Sequence, residues 1–125
     1  MGMDVYSRTN GAYFRASIWD WPSIYELCVR ANKESNLEFD MTSWEWNDGA
    51  GLTNKEDCLA LADSIESIIY PCKANAVFPS KFGSAVGDSL RGALGLEKVE
   101  YATCLEHVKE FVSFLRACDD GFRIW

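Results

Sequence analysis

Cys104 and His107 are the pair of residues with the most reactive chemistry at short spacing. They lie three apart in a segment with helical periodicity, so both side chains can face the same way. A helix N-terminus stabilises a thiolate and a nearby imidazole can act as its base, which suggests a cysteine nucleophile. The pair could instead supply half of a zinc site, completed by two of Cys28, Cys58, Cys72 and Cys118. The plain alternative is structural, with Cys104 packed and His107 at the edge of an apolar helix face.

Residues 47–51, with the sequence Asn-Asp-Gly-Ala-Gly, precede a predicted helix. Free main-chain N–H groups in such a loop can bind an anion. No Gly-Lys-Ser/Thr follows, as a phosphate-binding loop requires, and Asp48, Glu56 and Asp57 would repel phosphate. A calcium loop needs a terminal glutamate at a fixed offset, which the sequence lacks. The segment therefore predicts a turn and a helix cap, and we expect no cofactor and no metal.

The densest aromatic cluster runs from Tyr13, Phe14 and Arg15 to Trp19 and Trp21. An arginine among rings can stack on them by cation–π contact or hold an acidic ligand. The alternative is that this cluster is a sheet face packed on the first helix, with Arg15 paired to an acid.

The negative charge is concentrated in residues 34–72. This segment holds nine acids and one base, a net charge of -8, whereas the whole chain has a formal net charge of -7. Phe39, Trp44 and Trp46 lie among these acids, and aromatic residues dominate interface energetics. The sequence therefore predicts an exposed acidic, tryptophan-edged surface for a partner, made of Glu38, Asp40, Trp44, Glu45, Trp46, Asp48 and Asp57. The alternative is that the acids are solvated and the indoles anchor the core.

Two strands joined by a hairpin are predicted at the start of the chain. Residues 12–18 alternate apolar and polar side chains, and Asn10-Gly11 favours a tight turn after residues 3–8. Residues 122–125 alternate in the same way and predict a last strand.

Three helices follow from apolar residues at spacings of three and four. The first has Pro22 in its first turn and runs to about residue 33, the second spans about 54–70, and the third ends near 117. Capping boxes are predicted at Thr53–Glu56 and Thr103–Glu106. A short, weaker fourth helix is allowed around residues 82–90. The expected fold class is α+β: a small antiparallel sheet, made of the N-terminal hairpin and the C-terminal strand, packed by three to four helices.

Composition restricts the class of protein further. At 125 residues the chain predicts a single domain, 1–125, and 14% aromatic residues exclude a disordered tail. No apolar run is long enough to span a membrane, and the acidic balance argues against direct nucleic-acid binding. Five cysteines without a C-x-x-C pair, and no secretory signal pattern near Met1, predict buried thiols in the cytosol.

Several short motifs together resemble a family of short uncharacterised proteins from bacteria, plasmids and phages. The matching pieces are Met1-Gly2-x-Asp4-x-Tyr6, Gly11-x-Tyr13-Phe14-Arg15, Trp19-x-Trp21, Asn47-Asp48-Gly49-x-Gly51-Leu52 and Gly121-Phe122-x-Ile124. The family pattern has an arginine just after the second tryptophan, where this chain has Pro22, so a role of that arginine does not carry over. The resemblance implies a bacterial or phage setting and a shared fold.

The leading functional hypothesis is a small acidic cytosolic protein-interaction module. A phage- or mobile-element-encoded inhibitor of a host defence protein fits, because a carboxylate-rich surface can occupy a groove built for phosphates. Its partner would be a basic protein surface or a nucleic-acid-binding protein. The alternative is a small enzyme or metal-binding protein that uses Cys104 and His107. A third hypothesis is an oligomer whose aromatic surface is a self-interface, and the sequence leaves the oligomeric state open.

Overall fold

Three helices pack on one face of a small antiparallel sheet, which confirms the α+β fold class. The computed structural model describes residues 2–17, 20–44, 49–72, 77–79 and 102–125. Its elements, in chain order, are β1 (Gly2–Ser7), β2 (Tyr13–Ser17), α1 (Trp21–Glu34), α2 (Lys55–Ile69), β3 (Val77–Pro79), β4 (Ala102–Cys104), α3 (Leu105–Ala117) and β5 (Phe122–Ile124). The helices within these ranges are too short or too polar to cross a bilayer. The helix expected around residues 82–90 lies outside the described residues.

The predicted N-terminal hairpin and C-terminal strand form the main sheet, in the order β2-β1-β5. Both pairs are antiparallel, with Val5 opposite Phe14 in β2 and opposite Ile124 in β5. The inward side chains Val5, Phe14 and Ile124 are buried, because the helices cover that face. A separate two-stranded sheet pairs β3 with β4.

The hairpin turn is wider than the sequence predicted. The Ser7 N–H donates to Ala12 O at 2.9 Å, and Gly11 has a positive φ of 72° whereas Asn10 does not. The turn is therefore not a two-residue Asn-Gly turn, which needs positive φ at both residues. Asn10 instead donates its side-chain amide to Ala117 O and to the Asp119 carboxylate, which attaches the turn to the end of α3.

Residues 49–52 run alongside β5 in extended form. The Gly49 N–H donates to Ile124 O at 2.8 Å, the Ile124 N–H to Ala50 O at 2.7 Å and the Phe122 N–H to Leu52 O at 2.9 Å. These bonds cover the free edge of β5, so the segment is more than the turn that the sequence predicted. The backbones approach so closely that a Cβ on Gly51 would lie 2.2 Å from Phe122 O.

The helices begin one residue later than the predicted capping boxes require. Asn54 caps α2, and its side-chain oxygen accepts from the Asp57 N–H at 2.8 Å. Cys104 is the N-cap of α3 and makes no side-chain capping bond. Both predicted boxes, at Thr53–Glu56 and Thr103–Glu106, are therefore wrong in register, although the helix bounds agree with prediction to within about two residues.

Candidate binding surface and the predicted sites

The face of the main sheet opposite the core carries a cluster of aromatic and charged side chains that are exposed or half-buried. Strand alternation places these side chains opposite the buried set. We call them the outer sheet face: Asp4, Tyr6, Tyr13, Arg15, Arg123 and Trp125. Tyr6 is 45% exposed, and Tyr13 and Trp125 are each 49% exposed, although most large apolar side chains of the described chain are buried. Tyr6 is the cross-strand partner of both Tyr13 and Arg123.

The side of this face formed by β1 and β2 is held by a local network around Asp4. The Tyr13 hydroxyl donates to the Asp4 carboxylate, and Arg15 Nε lies 3.8 Å from the same group. The hydrogen bond to Asp4 raises the pKa of Tyr13. The Tyr6 and Tyr13 rings pack together, with centroids 5.1 Å apart and planes inclined by 40°. Asp4 thus has a hydrogen-bond donor and an ion-pair partner on β2, and the two rings contact each other.

The side formed by β1 and β5 carries two arginines. Arg8 follows β1 and donates from Nε to Leu52 O at 2.8 Å, while Arg123 is exposed in β5. Burial lowers the pKa of Arg8, and the charge of Arg123 lowers it further. The strand pairing also makes the two residues neighbours, because the Arg8 N–H donates to Gly121 O at 3.1 Å, two residues before Arg123.

His107 makes structural contacts with both of its ring nitrogens. Nε2 lies 3.1 Å from Arg15 O and Nδ1 lies 3.1 Å from the Thr103 hydroxyl. Because a carbonyl can only accept, Nε2 carries the proton, and in the neutral ring Nδ1 accepts from Thr103. Asp20 lies 3.9 Å from Nδ1. The exposed Cys104 thus has no free imidazole nitrogen next to it, which does not favour the nucleophile–base pair.

The cysteines do not gather into a metal site, although the Cys58 and Cys118 thiols are in hydrogen-bond contact. Cys28, Cys58 and Cys118 are buried, Cys72 is half-buried and Cys104 is exposed. Burial raises the pKa of the Cys28 thiol, as expected for a thiol that packs as a small apolar side chain. Among the residues described, no group of three or more His, Cys, Asp and Glu side chains is arranged to hold a metal ion.

The buried position of Trp44 contradicts part of the predicted acidic surface. Its side chain is 1% exposed and packs edge-on against Phe122, with centroids 5.3 Å apart. Its main-chain oxygen accepts from Trp21 Nε1 at 2.8 Å. The expectation of an exposed indole at this position is therefore wrong, because Trp44 is a core anchor. Glu45, Trp46 and Asp48 lie outside the described residues.

The remaining acids of the segment make mainly local contacts. Glu38 and Asp40 are exposed in the loop after α1, and Asp40 accepts from the N–H and the hydroxyl of Thr42. Asp57 is half-buried in the first turn of α2 and bonds Asn54. Arg116 of α3 pairs with two other acids of the segment, Asp63 and Glu66, on α2. A base from a distant part of the chain thus offsets part of the charge that the sequence concentrates there.

No protein-family model, curated protein or solved structure matches this chain. The motif resemblance to short bacterial and phage proteins therefore stays a prediction. The candidate functional site is the outer sheet face, because it groups exposed aromatic and charged side chains on one surface. Sequence reasoning placed Tyr13 and Arg15 on the polar side of a strand, but it did not pair them with Tyr6 or Arg123.

Proposed function

We propose that this protein is a binding module that contacts a partner protein through the outer sheet face. One observation carries the proposal: three aromatic side chains and two arginines are exposed on one sheet surface whose opposite surface is the core. Tyr, Trp and Arg are the residue types enriched at energetic centres of protein interfaces. If these rings only stabilised the fold, we would expect them to be buried, whereas each is about half exposed.

The rigidity of this surface also supports a binding role. The side chains stand on paired strands, and Tyr13 is held by Asp4 and by the Tyr6 ring. A surface that is ordered before binding loses little side-chain entropy when a partner covers it. Tyrosine adds large contact area with only two side-chain torsions to fix.

Site-specific photo-cross-linking in the native cells tests the proposal. A benzophenone amino acid replaces Tyr6 in one variant and Tyr70 in the control. Tyr70 follows α2, away from the outer sheet face, and is 87% exposed. We expect a discrete protein adduct from position 6 and not from position 70. No adduct at position 6, or the same adducts at both positions, would contradict the proposal.

The acidic loop supports a second candidate surface. Glu38 and Asp40 are exposed, and the segment 34–72 that contains them holds nine of the chain's 19 acids and only one of its 12 lysines and arginines. The hypothesis of an acidic inhibitor of a host defence protein, in a bacterial or phage setting and in the cytosol, remains a proposal supported by this charge. It predicts that the Glu38→Lys/Asp40→Lys variant abolishes the adduct from position 6. An unchanged adduct would exclude these two acids from the interface.

A further inference from the structure

Arg8, which follows β1 and is half-buried, and Arg123 of β5 lie near Tyr6 at the edge of the outer sheet face, and we call them the arginine pair. The Arg8 N–H donates to Gly121 O at 3.1 Å, two residues before Arg123, which is itself the Cα partner of Tyr6. Residues at such diagonal positions are about 7–8 Å apart, so that long side chains at these positions can reach each other. The lowered pKa of Arg8, caused by burial and then by the charge of Arg123, agrees with this proximity.

The charge of the arginine pair is not balanced by the residues around it. The acid of β1, Asp4, contacts Tyr13 and Arg15 of β2. Arg8 donates a hydrogen bond from Nε to Leu52 O, a main-chain carbonyl oxygen that carries no formal charge. Within the described ranges of the chain, no carboxylate forms an ion pair with Arg8 or Arg123. Two cations of neighbouring residues therefore lie beside an exposed ring, and an anion that contacts both would be attracted by both charges.

Building on the proposed function, we propose that the arginine pair binds a carboxylate of an acidic segment of the partner protein. Two guanidinium groups can hold one carboxylate with parallel, charge-assisted hydrogen bonds. The Tyr6 and Tyr13 rings lie beside this position and would receive the neighbouring aromatic or apolar side chain of the segment. The partner is thus recognised by acidic residues interleaved with apolar ones.

A protein carboxylate fits this surface better than a nucleic-acid backbone does. A strand of nucleic acid requires a groove with several bases along its path. Here the two cations lie together at one side of the face, and the third base, Arg15, is paired with Asp4. An acidic peptide needs only one or two such contacts.

Fluorescence anisotropy with three labelled probes tests the inference. The probes are the peptide (Glu-Tyr)5, the peptide (Lys-Tyr)5 and a ten-nucleotide oligothymidylate. We expect (Glu-Tyr)5 to bind best and more weakly at high salt. The Arg123→Glu variant should weaken its binding about tenfold or more, as loss of a charge-assisted contact requires. The control Lys33→Glu makes the same change in net charge on the exposed side of α1 and should weaken binding less than about twofold.

Three results would overturn the inference. They are stronger binding of the oligonucleotide or of (Lys-Tyr)5, no binding of (Glu-Tyr)5, and equal effects of the two charge reversals. Each of these outcomes is distinguishable from failure of the proposed function. A partner that cross-links at position 6, while Arg123→Glu leaves (Glu-Tyr)5 affinity unchanged, would keep the binding surface and reject the role of the arginine pair.

Discussion

Nε2 of His107 donates a hydrogen bond to the main-chain oxygen of Arg15 at 3.1 Å. Strand β2 is an edge of the main sheet. Because the Ser7 N–H bonds Ala12 O, alternation directs the Arg15 carbonyl away from β1. His107 therefore satisfies an edge carbonyl and attaches α3 to the strand that presents Tyr13 and Arg15.

Replacing His107 with Ala is expected to lower the free energy of unfolding by about 1–3 kcal/mol. The variant leaves the buried Thr103 hydroxyl and the Arg15 carbonyl without this partner. Urea unfolding measures the change. Cys104→Ala is the control, because this exposed thiol makes no capping bond, and it should cost less than about 0.5 kcal/mol. A comparable loss in both variants would contradict the structural role assigned to His107.

Glycine is required where residues 49–52 approach β5. A Cβ on Gly51 would lie 2.2 Å from Phe122 O, and one on Gly121 would lie 2.1 Å from Leu52 O. We expect Gly51→Ala and Gly121→Ala each to cost at least about 3 kcal/mol, because the backbones must separate. Gly11→Ala also places alanine at positive φ but meets nothing within 4 Å, so its cost should be about 1 kcal/mol. Thermal unfolding of the three variants checks this order, and equal losses would refute it.

Trp44 and Trp125 should differ strongly on truncation to Ala. The fully buried Trp44 leaves a large cavity, so Trp44→Ala should cost about 3–5 kcal/mol. Trp125 is 49% exposed, so Trp125→Ala should cost about 1 kcal/mol. Guanidinium unfolding measures both. A small effect at Trp44 would support the exposed indole that the sequence predicted and contradict the structure.

The buried Cys28 thiol predicts loss of stability in alkali. Burial raises the pKa of Cys28 above its ordinary value of 9.0. Above about pH 9 the unfolded chain therefore loses this proton while the folded chain keeps it, and stability falls as pH rises, by up to about 1.4 kcal/mol per pH unit. In the Cys28→Ala variant the free energy of unfolding should fall less steeply between about pH 9 and 11, by up to about 1.4 kcal/mol per pH unit. Each protein is compared with its own free energy of unfolding at pH 7. A slope identical to that of the unmodified protein would contradict a Cys28 that stays protonated when folded.

The three helices and the strands of the main sheet were predictable because their signals are local, whereas β3 and β4 were not predicted. Apolar residues at spacings of three and four gave α1, α2 and α3, and alternation gave β2 and β5. The capping residues were misplaced by one position, since Thr53 and Asn54 are both acceptable caps by type. Asn54 is selected by the bond from the Asp57 N–H to its side chain.

The candidate surface was not predictable because it depends on distant pairing. Tyr6 meets Arg123 only through the β1–β5 register, which joins the two ends of the chain. The net charge of residues 34–72 also depends on distant contacts, because Arg116 reaches Asp63 and Glu66 from α3 and offsets part of it. A local count of acids contains no information about bases that arrive from elsewhere in the fold.

Hydroxyl-radical footprinting of the complex, recovered with the partner cross-linked at position 6, is the most direct test of the central claim. Oxidation is compared by mass spectrometry between the free and the bound protein. The binding surface predicts protection of Tyr13, Arg123 and Trp125, with Tyr70 oxidised equally in both states. Protection of Tyr70 or of the loop that carries Glu38 and Asp40, with the outer sheet face unchanged, would contradict it.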